Sequence, residues 1–203
     1  NIFYKGVDES GNVITDFRRL ISDMRSFVST GFKPRIVLDN VPWEMSVLPR
    51  VRDTYGNSKP PKNYNLWTQY VNAFAQALVD EFGMEEVKTW RFRVGTEPNL
   101  VPGHWRGTRD QYFRHYDFTV DALTKVIPDA IVGPGNSLTE GGASFTTEII
   151  DHCATGLNFA TGIKRDAAVY KIWYNCLQKL SRSTTELNLY SSKTSKALLI
   201  YSS

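Results

Sequence analysis

Cysteine is nearly absent from the 203 residues: Cys153 and Cys176 are the only two. That excludes a disulfide-rich scaffold and a four-cysteine zinc site within one chain. Histidine is equally sparse. His104, His115 and His152 share no short spacing suited to a metal centre, and surface or capping roles fit them better. No apolar run is long enough to cross a bilayer, and no signal peptide precedes the first element. Gly133-Pro-Gly135 and Glu140-Gly-Gly142 lack the lysine of a phosphate-binding loop and read as turns. Ser144 sits in no nucleophile elbow. No segment repeats. The chain begins at Asn1 rather than Met, which fits a processed product or a fragment.

The rest of the composition is that of one domain with a sizeable core: 41% hydrophobic, 13% aromatic and a formal net charge of +3. The charge is uneven. Residues 164–203 hold seven Lys or Arg against two Asp or Glu, so the remainder is mildly acidic. The basic balance therefore belongs to the C-terminal part and gives no support to a nucleic-acid-binding domain. Five Trp and ten Tyr suit stacking on sugar rings, although each alone fits an ordinary core as well.

Periodicity organises residues 15–155 into alternating helices and strands. Phe17, Leu20, Ile21, Met24, Phe27 and Val28 recur at helical spacing, with Thr15 or Asp16 available as a cap and Gly31 as the stop. Lys33 to Asp39 reads as a buried strand. Val51 to Tyr64, rich in Pro, Gly, Asn and Lys, reads as a long loop. A second helix over 65–82 turns Leu66, Tyr70, Phe74, Ala77, Leu78 and Phe82 inward and stops at Gly83. Thr89 to Val94 is a second strand in which Trp90, Phe92 and Val94 alternate with Arg91 and Arg93. Its arginines must point toward partners or the mouth of a barrel. A helix over 108–127, a strand over 130–134 and a helix over 144–154 follow. Such alternation specifies parallel strands with crossover helices. An eight-fold barrel typically needs about 250 residues, so this pattern predicts an α/β fold of the (β/α)8 type in partial form. The expected division is a barrel part over 1–163 and an atypical basic, Ser/Thr-rich tail over 164–203.

In such folds the reacting groups stand at the carboxyl ends of strands. Three turns meet that description: Asp39-Asn-Val-Pro-Trp43, Gly95-Thr-Glu-Pro-Asn99 and Gly133-Pro-Gly-Asn136. Glu97 stands out because it follows an apolar strand in a Gly/Pro-rich turn. A carboxyl group in a cleft walled by aromatics loses hydration, which favours the protonated form a general acid needs. On spacing alone, an exposed loop glutamate or a capping residue fits equally well.

The run Trp90-Arg-Phe-Arg-Val-Gly-Thr-Glu-Pro-Asn-Leu100 resembles the fourth-strand motif of clan A glycoside hydrolases, family 39 in particular, which includes β-xylosidases and α-L-iduronidases. Trp105, Tyr112, Pro128 and Gly133-Pro-Gly135 follow in the order of that family. Upstream, Gly31-Phe-Lys-Pro-Arg-Ile-Val-Leu-Asp39 and Pro42-Trp43 resemble its third strand and loop. The similarity runs from about residue 12 to 160. It implies retaining hydrolysis of oligo- or polysaccharides, with Glu97 as acid/base and Asp39, Trp43, Thr96, Asn99, Trp105 and Asn136 lining the sugar subsites. Asp39 fits either a sugar contact or a loop cap. The family places Asn immediately before the glutamate, where its amide meets the sugar 2-hydroxyl. Thr96 stands there instead, and a hydroxyl offers fewer groups.

A retaining mechanism needs a second carboxylate roughly 5 Å away, expected at the end of the family's seventh strand. Glu186 in Ser183-Thr-Thr-Glu-Leu-Asn-Leu-Tyr190 is the one glutamate after Glu148, and its surroundings fit either that motif or chance in a Ser/Thr-rich tail. The alternative for the whole chain is a truncated, inactive hydrolase or a carbohydrate-binding pseudoenzyme. The resemblance implies no cofactor and no metal, a carbohydrate substrate, no nucleic acid and no membrane, and an extracellular or periplasmic setting if the substrate is a polysaccharide.

Overall fold

The computed structural model describes residues 2–49, 56–137 and 139–165, without the side chains of 139–143. It opens with a hairpin that periodicity did not reveal. Strand β1 (Tyr4–Val7) pairs antiparallel with β2 (Val13–Thr15). Strands of four and three residues are too short to establish a period of two. The turn is instead organised by Asp8, whose carboxylate accepts from the backbone N–H groups of Ser10 and Asn12 at 2.9 and 2.8 Å. Gln69 of the next long helix accepts from Val13 N–H at 2.9 Å, and Tyr4 meets Tyr70 edge-on, so the hairpin is docked rather than free.

Helix α1 (Arg18–Ser29) has Phe17 at its N-cap position, which offers no side-chain cap, and Asp16 supplies one instead by accepting from the Arg18 N–H at 3.2 Å. The helix ends at Gly31, which takes φ +83 as expected. Its buried stripe is narrower than the spacing suggested. Phe17, Ile21 and Met24 are inside, while Phe27 stays 58% exposed.

The sheet that positions the site has three parallel strands in the order β3 (Arg35–Leu38), β4 (Arg91–Val94), β5 (Ile131–Pro134). Ile36, Phe92 and Val132 are in register, as are Leu38, Val94 and Pro134. The expectation of a fully buried first strand is corrected, since Arg35 and Val37 are exposed. Among the described residues β3 pairs only with β4, so one edge and one face stay open.

Helices α2 (Tyr64–Phe82) and α4 (Arg109–Val126) cover the other face; a single turn, α3 (Met84–Val87), separates α2 from β4. Helix α2 is capped by Asn63, whose side chain accepts from Asn65 and Leu66 N–H, and it stops at Gly83. Helix α4 starts with a reciprocal capping box between Thr108 and Gln111. Helix α5 (Thr139–Thr155) begins five residues before the position expected from sequence. Gly141 and Gly142 cost helix propensity and read as a turn, yet they lie within its first two turns.

The core between α2 and α4 contains a histidine. His115 is 2% exposed, with Trp67 at 5.0 Å and Trp105 at 5.4 Å between ring centroids. Burial pushes its pKa down to about 3. The unfolded chain, with an ordinary value near 6.5, binds a proton there that the native state refuses. His115 therefore withdraws stability as pH falls from about 6.5 toward 3. Between pH 6.5 and 4.5 this amounts to about 2 kcal/mol. Urea titrations of the parent and His115→Leu at both pH values should differ by that amount in their pH dependence. Equal dependences would assign the acid sensitivity elsewhere.

A second polar group lies between α4, α5 and the segment that follows. Asp117 is fully buried. It accepts from Arg165 Nη2 at 2.5 Å and from the Phe159 N–H at 2.8 Å, and lies 3.0 Å from His152 Nε2. His152 is stacked between Phe113 and Phe159. Lys164 pairs with Leu157 through an isolated bridge. The chain is thus tied to the domain through Arg165, its last described residue.

Candidate active site

The polar groups of the site gather where β3, β4 and β5 end. Beyond Val94, Gly95 takes φ +79 and its N–H still bonds Leu38 O at 2.8 Å, continuing the ladder for one more residue. Glu97 then adopts φ +46, the one positive φ outside glycine among the described residues. A glutamate held in that left-handed region costs about 1–2 kcal/mol. The surrounding contacts hold it there. Its carbonyl accepts from Leu100 N–H at 2.8 Å, and the following Pro98 packs where Gly135 approaches. A Cβ on Gly135 would stand 2.8 Å from both Gly95 O and Pro98 Cδ, so only glycine allows β5 to come this close.

Tyr112 of α4 fixes the two strand ends. Its buried hydroxyl donates to Val94 O at 2.7 Å and accepts from Gly135 N–H at 2.9 Å. Burial pushes this phenol well above its ordinary value, so it remains a donor at any working pH.

Both oxygens of Glu97 face polar partners. Asn136 Nδ2 donates to Oε1 at 3.4 Å, and His104 Nε2 lies 3.6 Å from Oε2. The Glu97 side chain is 23% exposed, open enough for a ligand to reach. Asp39, at the end of β3, lines the same small cavity as Thr96 and His104. Its pKa is raised by burial, against the opposing pull of Thr96, His104 and Arg93. Arg93 joins the two halves, with Nη1 donating to Asn136 Oδ1 at 2.8 Å and Nη2 to Thr96 Oγ1 at 3.3 Å.

Three of the residues expected from sequence, Thr96, Glu97 and Asn136, are therefore connected through Arg93, and a fourth, Asp39, lines the adjoining cavity. Trp43 begins the 3-10 turn Trp43–Met45 after β3 and remains partly open. Asn99 lies half-buried in the turn after Glu97. Trp105, expected to line the sugar subsites, is enclosed and borders the cavity at the strand ends. It is 6% exposed, packs edge-on against Tyr112, and commits its indole N–H to Thr108 O at 3.0 Å. A side chain enclosed in this way braces the site from below. Glu186 and most of the 164–203 tail lie outside the described residues.

Sequence reasoning passed over Arg93, His104 and Tyr112 as site residues. The signal for Arg93 was present in the alternation of β4, whose polar side must find partners. His104 and Tyr112 act from a loop and a helix, where no period marks them. The stretch after residue 56, read simply as a loop, is partly inside. Asn57, Ser58 and Lys59 are buried and, with Asp39, Thr96, His104 and His115, line a cavity of about 10 Å³ beneath the site. That is about the room of a single water. No group of His, Cys, Asp or Glu among the described residues is arranged to hold a metal ion.

The parallel strands and covering helices that carry the Glu97 turn agree with the comparisons. The family model of glycosyl hydrolases family 39 matches residues 2–182, and the chain belongs to that family. It is 32% identical over 155 residues to an α-1,4-L-rhamnosidase of Formosa agariphila, covering 70% of this chain and 32% of the relative. It is also 32% identical over 136 residues to a β-xylosidase of Geobacillus stearothermophilus, covering 66% and 25%. Among solved structures, a monomeric β-xylosidase from Caulobacter crescentus superposes with a TM-score of 0.64 at 30% identity, over 74% of this chain and 29% of that one. A bacterial orthologue of human α-L-iduronidase shares the fold, with a TM-score of 0.61 at 21% identity. The described strands and helices are thus part of a (β/α)8 barrel. The chain spans about a quarter to a third of the length of these relatives.

Proposed function

We propose that this chain carries the acid/base half of a retaining O-glycosidase acting on oligo- or polysaccharides, with Glu97 as the proton donor. The observation that carries the reading is Glu97 itself: a non-glycine residue at φ +46, held at the end of a parallel strand with Asn136 on one carboxylate oxygen and His104 near the other. Strained backbone of this kind persists where the surroundings over-determine it, and it clusters at active sites. In the proposed reaction Glu97 protonates the leaving glycosidic oxygen and then, as carboxylate, takes a proton from the attacking water. Between these steps a second carboxylate about 5–5.5 Å away holds the sugar covalently; Glu186 is the candidate. Asp39 is placed to accept a hydrogen bond from a sugar hydroxyl, with Trp43 and Asn99 toward the outer subsites. A secreted enzyme, extracellular or periplasmic, is the setting that suits a polymeric substrate.

The test is hydrolysis of a panel of 4-nitrophenyl glycosides that includes the α-L-rhamnoside and β-D-xyloside, with the anomer of the first product read by proton NMR. Turnover with retention is expected. Inversion, or neither turnover nor binding across the panel, overturns the reading. The share of the relatives' length that this chain spans favours one second reading, a carbohydrate-binding chain without turnover. Saturable binding with no product would select it.

A further inference from the structure

We propose that Arg93 is a positioning residue, whose forked guanidinium sets the amide of Asn136 toward Glu97 while its second arm holds the hydroxyl of Thr96. The functional meaning of this inference rests on Glu97 being the acid/base.

Arg93 stands on the open face of β4, one residue before the strand's end. Its register neighbour on β5 is Gly133, which has no side chain and no atom within 4 Å of where a Cβ would be. The guanidinium therefore has room to rise to the strand ends, where it meets two different oxygens. The Nη1 contact goes to the carbonyl oxygen of Asn136. An amide has one acceptor end and one donor end, so anchoring the oxygen on a permanent cation turns the NH2 outward, to Glu97 Oε1. Without the cation the flipped amide would present its oxygen to a carboxylate, an acceptor against an acceptor.

The Nη2 contact goes to Thr96 Oγ1. The Thr96 hydroxyl thus accepts from Arg93, and its place immediately before Glu97 is fixed by that contact, beside the Asp39 carboxylate in the same cavity. Two oxygens in different directions need a planar fork; an ammonium group reaches them only as a point charge. The Arg93 Nε is buried without a hydrogen-bond partner. A contact selected for stability alone would not leave that donor unmet. The titratable groups that interact with Arg93 are Asp39 and Tyr112, with His104 beside Asp39 at the same end of the sheet.

The experiment uses the full chain as parent, Arg93→Lys and Arg93→Met, each checked for folding by thermal unfolding. Two NMR signals are followed through a pH titration: the side-chain amide of Asn136, and the ¹³C carboxyl of Asp39. In Arg93→Met the Asn136 amide is expected to lose at least about half of its response to carboxylate ionisation, and the Asp39 midpoint to move up by about half a unit or more as a neighbouring cation disappears. Arg93→Lys keeps the charge but not the fork, so it should hold the Asp39 midpoint nearer the parent while the Asn136 response still falls. An unchanged Asn136 response in folded Arg93→Met overturns the proposal, as does full restoration by Arg93→Lys. If Arg93→Met does not fold, the Asn136 response in Arg93→Lys decides alone. Neither readout needs turnover, so a chain that hydrolyses nothing still reveals whether Arg93 orients the amide.

Discussion

Glu97→Gln is expected to lower kcat/KM, which reports the bond-breaking step, by about 10²–10⁴-fold for glycosides with poor leaving groups, while activated aryl glycosides keep most of theirs. The reasoning follows the proton. A nitrophenolate departs without protonation, so losing the acid costs it little in the bond-breaking step. A sugar alkoxide cannot leave that way, and its reaction carries the whole penalty. The substitution preserves shape and hydrogen bonding better than any other, since Asn136 and His104 would still face a planar group of the same size. Paired assays of an aryl glycoside and the matching disaccharide decide the matter. Equal losses on both would refute the acid role.

Asp117→Ala should destabilise the fold by about 3–5 kcal/mol, because it strands a buried charge rather than merely deleting a contact. Asp117 is fully buried, and its removal leaves the Arg165 guanidinium and the Phe159 N–H facing the stacked rings of Phe113, His152 and Phe159. A typical domain has only about 5–15 kcal/mol in total, so the urea midpoint should fall by a large fraction. Arg165→Met in the Asp117→Ala background should recover part of the loss, since the buried cation that lost its carboxylate then disappears as well. Hydrogen exchange should show faster opening around residues 156–165. A loss below about 1 kcal/mol would show that the pair is replaced by solvent rather than left uncompensated.

These two residues also mark how far the sequence could be read. Glu97 was legible because its turn joins an apolar strand to a Gly/Pro-rich loop, and because the neighbouring motifs fall in order. The helices were legible from their own period, and the β3, β4 and β5 strands from short β-branched or aromatic runs set between glycine and proline boundaries. Asp117 was not. An acidic residue within an amphipathic helix reads as part of a solvated face, and its partners lie 35 and 48 residues away. The hairpin over residues 4–15 escaped because its order comes from Asp8 and from docking on α2, not from alternation. Trp105 was found, but an indole looks the same in sequence whether it stacks on a ligand or on Tyr112 and His115. Helix α5 shows the opposite error, in which two glycines suggested a turn that packing overrides.

The Tyr112 bridge has a consequence for how such a site can diversify. The hydroxyl that spans Val94 and Gly135 belongs to a helix behind the sheet, not to any loop around the opening. The spacing between the acid turn and the Asn136 turn is therefore fixed independently of the segments that would touch a sugar. Those segments are free to lengthen, shorten or change residue type while the spacing of the Glu97 and Asn136 turns stays constant.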